Sequence, residues 1–199
     1  MTKNIGKRIG IYGGAFDPPH MAHVALAKAV MAQFKLDELR IIPTGDAVHK
    51  RRHLSPAYHR IAMAELAFAD MSNVVIDSCE VNRGGASYTI DTLTELRVAH
   101  PGASFMLIIG QDQLMAFHTW HSYQDILKMA TLAVALRGMS TGSIMVPLEM
   151  AYQAIDFAPQ ALSSSDIRQM IRLKDEQFKT KMVASVAAYI QEHGLYSQN

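Results

Sequence analysis

The chain has 199 residues, 49% of them apolar, with one cysteine and a formal net charge of +1. That suits a single domain with a sizeable core, and it excludes an internal disulfide framework and a global field for nucleic acid. No run approaches the ~18 consecutive apolar residues of a membrane span, and the start MTKNIGKR lacks the apolar stretch of a signal peptide, so a soluble cytoplasmic protein without a membrane partner is expected.

In chain order, the short apolar run Ile9–Tyr12 predicts a first strand. Gly13-Gly14 and the Asp17-Pro18-Pro19 turn follow, then a helix over His20–Phe34. Glu38–Pro43 reads as a second strand. The loop after it carries the basic run His49, Lys50, Arg51, Arg52, His53. Ser55-Pro56 signals a helix start, with the helix over Pro56–Ala69. Asn73–Cys79 predicts a third strand, Asn82–Ser87 a loop, and Thr89–Ala99 a helix. Ser104–Gly110 is a nearly continuous apolar run, the pattern of a buried parallel strand. Gln111–Lys128 reads as two short helices around a turn at Trp120. Thr131–Arg137 predicts a buried strand, Gly138–Gly142 a loop, and Ala154–Phe157 a short strand. Ser163 to Asp166 caps a helix of Asp166–Leu173, and the last helix spans Thr180–His193, before Gly194.

Strands alternating with helices at this spacing predict an α/β fold. The expected architecture is a Rossmann-like open parallel sheet with helices on both faces, plus C-terminal helices. Sheets of this kind bind ligands at the carboxyl ends of their strands.

The stretch IGIYGGAFDPPHMAHVAL concentrates the chemistry. A strand turning on glycine into a helix gathers N–H groups and a positive helix end at one point, which suits phosphate. Gly13 and Gly14 remove Cβ atoms where phosphate would approach. His20 and His23, three apart, share a helical face and can stabilise charge on a transferring phosphoryl group. Paired histidines also suit zinc, but no neighbouring Cys or third His completes a ligand set. The basic run His49 to His53 reads either as a solvated turn or as a phosphate contact. Trp120 is either core or a stacking platform, and Ser87 or Thr89 can cap the helix they precede.

GGAFDPPHMAH resembles the signature of the nucleotidyltransferases with a paired-histidine motif, most closely bacterial nicotinate mononucleotide adenylyltransferases. Ala15 replaces a usual Thr or Ser, and Ala22 a usual Gly. PTGDAVHKRR is similar to the family's lysine-bearing segment, which places Lys50, with His49 beside it, near the phosphates. NRGGASYTIDTL resembles a further block at Arg83, Ser87, Tyr88, Thr89, Asp91 and Thr92. GQDQLMAFHTWHSYQDI supplies Gly110, Asp112 and Trp120. SSSDIRQMI supplies Ser163, Ser164 and Arg168, and VAAYIQEHGLY resembles the family's ending. The matched blocks run from residue 9 to residue 196 in family order.

The resemblance implies one nucleotidyltransferase domain over residues 1–199 that transfers AMP from ATP to nicotinate mononucleotide, giving deamido-NAD and pyrophosphate. It implies His20, His23, Lys50 and Arg168 as the catalytic groups. Gly13, Gly14, Ala15, Phe16, Gly110, Asp112, Ser163 and Ser164 are expected to join His20, His23 and Arg168 around ATP. Asp17, Lys50, Ser87, Tyr88, Thr89 and Trp120 are expected around the acceptor. No protein metal site is expected; Mg²⁺ would be held mainly by the ATP phosphates. Nicotinamide mononucleotide or phosphopantetheine as acceptor, CTP as donor, a non-catalytic nucleotide-binding module, and homo-oligomerisation stay open.

Overall fold

The computed structural model describes residues 6–45, 54–136, 150–158 and 161–197. Strand β1 (Arg8–Gly14) is followed by helix α1 (Met21–Phe34) and β2 (Glu38–Pro43). Then come α2 (Ala57–Phe68), β3 (Val74–Ile76), α3 (Cys79–Arg83) and α4 (Thr89–Ala99). Strand β4 (Ser104–Gly110) leads into α5 (Gln111–Ala116), a 3₁₀ turn at Phe117–Thr119, α6 (Tyr123–Met129) and β5 (Ala130–Ala135). Strand β6 (Tyr152–Ile155), α7 (Ser164–Arg172), a 3₁₀ segment at Glu176–Lys181 and α8 (Ala184–Glu192) complete the order.

The six strands form one sheet in the order β3-β2-β1-β4-β5-β6, every pairing parallel. Because side chains alternate across a strand, each central strand feeds two cores. Met106 and Ile108 of β4 pack with α1, α2 and α8 residues such as Val30, Met63 and Val186. Phe105, Leu107 and Ile109 pack on the other face with Leu93, Leu114 and Ile126. Both faces are thus covered, as the near-continuous apolar runs anticipated.

The chain runs β1 to β2 in one direction and returns to β4 on the other side of β1, so the switch in strand order lies between β1 and β4. Their pairing stops at Ile11↔Leu107. Beyond that, β1 continues to Gly14 against β2, and β4 continues to Gly110 against β5. The two strands part at their carboxyl ends, and the crevice opens there.

Several boundaries differ from expectation, each for a local reason. Strand β3 is shorter because the Asp77 carboxylate accepts the Cys79 N–H at 3.0 Å and turns the chain into α3, which was expected as strand end and loop. Strand β6 sits two residues earlier: Gln33 donates to the Ala154 carbonyl at 2.9 Å and accepts the Asp156 N–H at 2.8 Å, ending the strand. The last helix begins at Ala184 because Asp175 caps a 3₁₀ segment first, accepting the Gln177 N–H at 3.0 Å. Gly13 and Gly14 are the end of β1 and not a turn. The reversal is made by Phe16 at φ +47° and a cis Asp17–Pro18 bond. The expected loop at Gly138–Gly142 lies outside the described residues.

Candidate active site

Among the described residues, nothing lies within 4 Å of where a Cβ on Gly13 would stand. Gly14 does something else. A Cβ there would meet the Phe16 ring at 3.1 Å, so this glycine makes room for an aromatic side chain. Phe16 is 1% exposed and packs edge-on against Tyr12 and Phe68. Its side chain belongs to the core, and its backbone turns the loop.

His20 is the N-cap of α1, in extended conformation, and His23 is its third helical residue. The pair therefore does not share a helical face as the spacing suggested. It meets by stacking instead, with ring centroids 3.7 Å apart and planes 30° from parallel. The His20 N–H donates to His23 Nδ1 at 3.1 Å. An accepting Nδ1 carries no proton, so neutral His23 holds its proton on Nε2. Burial pulls His20 down to about 4, against an opposing pull from the Asp166 charge. Its Nδ1 is buried with no hydrogen-bond partner among the described residues. An orphaned buried polar atom costs about 1–3 kcal/mol and so points to a ligand.

A cavity of about 320 Å³ lies beside this pair, lined by Ala15, Phe16, Asp17, His23, Ser164, Ser165 and Arg168. Ser164 and Ser165 are the first residues of α7. Ser163 caps that helix: its Oγ accepts the Asp166 N–H at 3.2 Å and donates to Asp166 Oδ2 at 2.6 Å. The Ser164 hydroxyl donates to the Pro18 carbonyl at 2.9 Å. Both hydroxyl protons are therefore engaged by protein, contrary to the expectation that they face phosphate. What the helix start offers an anion is backbone N–H groups and the positive dipole end. Arg168 is 9% exposed; Nη1 donates to the Asp17 carbonyl at 2.6 Å and Nη2 to Ser165 Oγ at 2.9 Å.

Asp17, expected toward the acceptor, is 1% exposed. Its carboxylate accepts from the Tyr196 hydroxyl at 2.5 Å and from the Ser55 N–H at 3.3 Å, so it faces the scaffold. Arg60 was not anticipated at all. It is 3% exposed and donates to the carbonyls of Ala15 at 3.2 Å, Thr44 at 2.7 Å and Ser55 at 2.9 Å. An arginine amid the apolar positions of AYHRIAMAEL was the available signal. Lys50 and His49 lie outside the described residues.

On the other side of the crevice, Gly110 caps α5, its N–H donating to Gln113 Oε1 at 2.9 Å, and Asp112 follows in the first turn. Tyr88, not Ser87 or Thr89, is the N-cap of α4, and no side-chain cap hydrogen bond forms there among the described residues. Tyr88 packs against His121, the rings tilted by 42° with centroids 4.7 Å apart. That contact joins the Ser87-Tyr88-Thr89 segment to the Trp120 turn. Trp120 is partly buried against Phe117, centroids 5.0 Å apart. A Cβ on Gly45 would fall 2.7 Å from Ser87 Oγ and 2.5 Å from the Glu80 carbonyl. Only glycine lets the loop after β2 approach this segment so closely. Glu80, also unanticipated, is buried and takes the Thr92 hydroxyl at 3.2 Å, and burial pushes its carboxyl up.

The cytidylyltransferase-like family model matches residues 11–170. A relative from Albidiferax ferrireducens, named "probable nicotinate-nucleotide adenylyltransferase", is 46% identical over 199 residues, covering 96% of this chain and 98% of its own. One of the same name from Methylibium petroleiphilum is 40% identical, with 99% and 96% covered. The chain belongs to the nicotinate-nucleotide adenylyltransferase family. In fold, this member of the family superposes on Plasmodium falciparum nicotinic acid mononucleotide adenylyltransferase complexed with APC at a TM-score of 0.80, with 20% identity and 97% and 98% of the chains covered. The same protein complexed with NaAD gives 0.79. Among the described residues no group of three or more His, Cys, Asp or Glu could hold a metal ion, and no helix is long and apolar enough to cross a membrane.

Proposed function

We propose that this enzyme transfers the adenylyl group of ATP to nicotinate mononucleotide, giving deamido-NAD and pyrophosphate, and that residues 1–199 act as one nucleotidyltransferase domain. The observation that carries the reading is the stacked His20–His23 pair beside a cavity walled by Arg168 and the start of α7. In the reaction, an oxygen of the mononucleotide phosphate attacks the α-phosphorus in line. The bond from that phosphorus to the bridging oxygen breaks, and pyrophosphate leaves with the electron pair. No group on the protein needs to become covalently attached; catalysis is positioning and charge stabilisation.

His20, held low by burial, is neutral at pH 7. The imidazole pair therefore offers N–H donors, His23 through Nε2, and not a pair of fixed charges. Positive charge comes from Arg168 and, on the family pattern, from Lys50. The N–H groups of Ser164 and Ser165 complete the anion site. Ala15, Gly13, Gly110 and Asp112 line the ATP side of the crevice, Asp112 accepting from a ribose hydroxyl. Trp120 stacks on the pyridine ring, and the uncapped start of α4 takes its carboxylate.

Mg²⁺ would be carried mainly by the ATP phosphates and water, its usual ligands beside nucleotides, and would neutralise the charge developing there. The test is pyrophosphate release with ATP or CTP against nicotinate mononucleotide, nicotinamide mononucleotide and phosphopantetheine. ATP with the nicotinate acceptor should dominate. Dominance by another pair would overturn the reading.

A further inference from the structure

Tyr196 is held at φ +64°, two residues past the Gly194 turn at φ +59° that follows α8. A bulky residue seldom takes that left-handed conformation and keeps it only where its surroundings dictate it. The turn is closed by the Leu195 N–H to the Ile190 carbonyl at 3.0 Å. It delivers the phenol hydroxyl to Asp17 Oδ1 at 2.5 Å, across 179 positions of sequence. Met63 Sδ lies 3.9 Å from the same hydroxyl. Burial, and then the Asp17 charge, push the phenol well above the usual tyrosine range, so it stays a donor.

Asp17 links the parts of the site. Its other carboxylate oxygen takes the Ser55 N–H ahead of α2, and its carbonyl takes Arg168 Nη1. The next residue, Pro18, accepts from Ser164 on α7. His20 stands two residues beyond Pro18. We propose that Tyr196 is a positioning residue for the transfer reaction: through Asp17 it fixes the loop between β1 and α1, and with it His20, His23 and Arg168. The proposal rests on the adenylyl-transfer reading of this site. Without the hydroxyl, Asp17 loses this buried hydrogen bond, and the loop it ties to the C-terminal turn is no longer held in place. Misplacement by about 1 Å costs up to about 10²-fold in rate, and the loss falls mainly on kcat because the histidine pair acts on charge that develops only during transfer.

The test compares Tyr196→Phe, Asp17→Asn, their double variant and Met63→Leu. The readouts are kcat and KM for ATP and nicotinate mononucleotide, and the ring signals of His20 and His23 in long-range ¹H–¹⁵N spectra. Tyr196→Phe should lower kcat at least about tenfold, leave both KM values within about twofold, and move both ring signals. An asparagine has one acceptor oxygen where the carboxylate has two, so it cannot take both the Tyr196 hydroxyl and the Ser55 N–H as Asp17 does. The double variant should therefore be no slower than the slower single. Met63→Leu should keep kcat, because it alters packing and leaves the hydrogen bond.

Unchanged kcat and unmoved ring signals in Tyr196→Phe would overturn the proposal. So would an equal loss in Met63→Leu, or losses that multiply in the double. If Tyr196→Phe does not fold, Asp17→Asn must move the same ring signals or the proposal fails. If the parent enzyme releases no pyrophosphate from these substrates, the reading of the reaction fails, and the ring signals alone decide the positioning role.

Discussion

The His20 N–H donates to His23 Nδ1 while the two rings stack at 3.7 Å. One hydrogen bond thus sets the tautomer of His23 and the contact between the rings. In the proposed reaction the pair is then a preorganised donor set for charge that develops only during transfer. Replacing either histidine by alanine should lower kcat by about two or more orders of magnitude, the size typical of losing one such donor. Folding should change little. Pyrophosphate release and a urea melt check both statements, and near-normal turnover in His23→Ala would remove the pair from the mechanism.

The low proton affinity of His20 also predicts a pH dependence of stability. In the fold it titrates at about 4, against 6.5 when unfolded. Between those values the unfolded chain binds more protons, so stability rises with pH there. The contribution is fully present above 6.5 and is lost as pH falls through about 4. It amounts to at most about 3 kcal/mol. His59, also pulled down by burial and then by His193, titrates in the same direction. Urea melts at pH 7 and pH 4 should show a smaller acid loss in His20→Gln than in the parent. Equal losses would contradict the assignment.

Ala15 lines the cavity beside His23, where the family usually presents a hydroxyl. Ala15→Thr should tighten ATP binding by about 1 kcal/mol, the net worth of one hydrogen bond. Titration calorimetry measures it; an unchanged or weaker Kd would mean that the cavity has closed around alanine.

Arg60 joins three carbonyls, from Ala15, Thr44 and Ser55. Arg60→Met fills similar space but leaves three acceptors without their donor. It should destabilise the fold by roughly 3 kcal/mol or more, read as a lower urea midpoint. A loss under about 1 kcal/mol would show that water replaces the guanidinium freely.

Recognition of the acceptor gives a further expectation. The uncapped start of α4 at Tyr88 offers N–H groups and a positive dipole end, which suit a carboxylate. An amide needs acceptors for its NH₂ that these groups do not provide. The enzyme should prefer nicotinate over nicotinamide mononucleotide by at least about 10² in kcat/KM. A ratio near one would overturn this pocket and leave the histidine chemistry intact.

The parallel α/β architecture was legible along the chain because apolar runs such as Phe105 to Ile109 and the glycine and proline breaks between them are local properties. The motif residues His20, His23, Ser163 and Arg168 were legible for the same reason, as they sit in short contiguous blocks. What each does with its atoms was not. Spacing put the histidines on one helical face, but an N-cap conformation at His20 made them stack. Ser163 and Ser164 carry hydroxyls that suit phosphate, yet Asp166 and Pro18 take their protons. Asp17 looked like a ligand group and became a link between Tyr196, Ser55 and Arg168, while Arg60 and Glu80 carried no motif at all. These outcomes depend on partners as far as 179 positions away. A buried polar group is committed by whichever donor or acceptor the packed chain brings within about 3 Å, and only the tertiary structure decides which one that is.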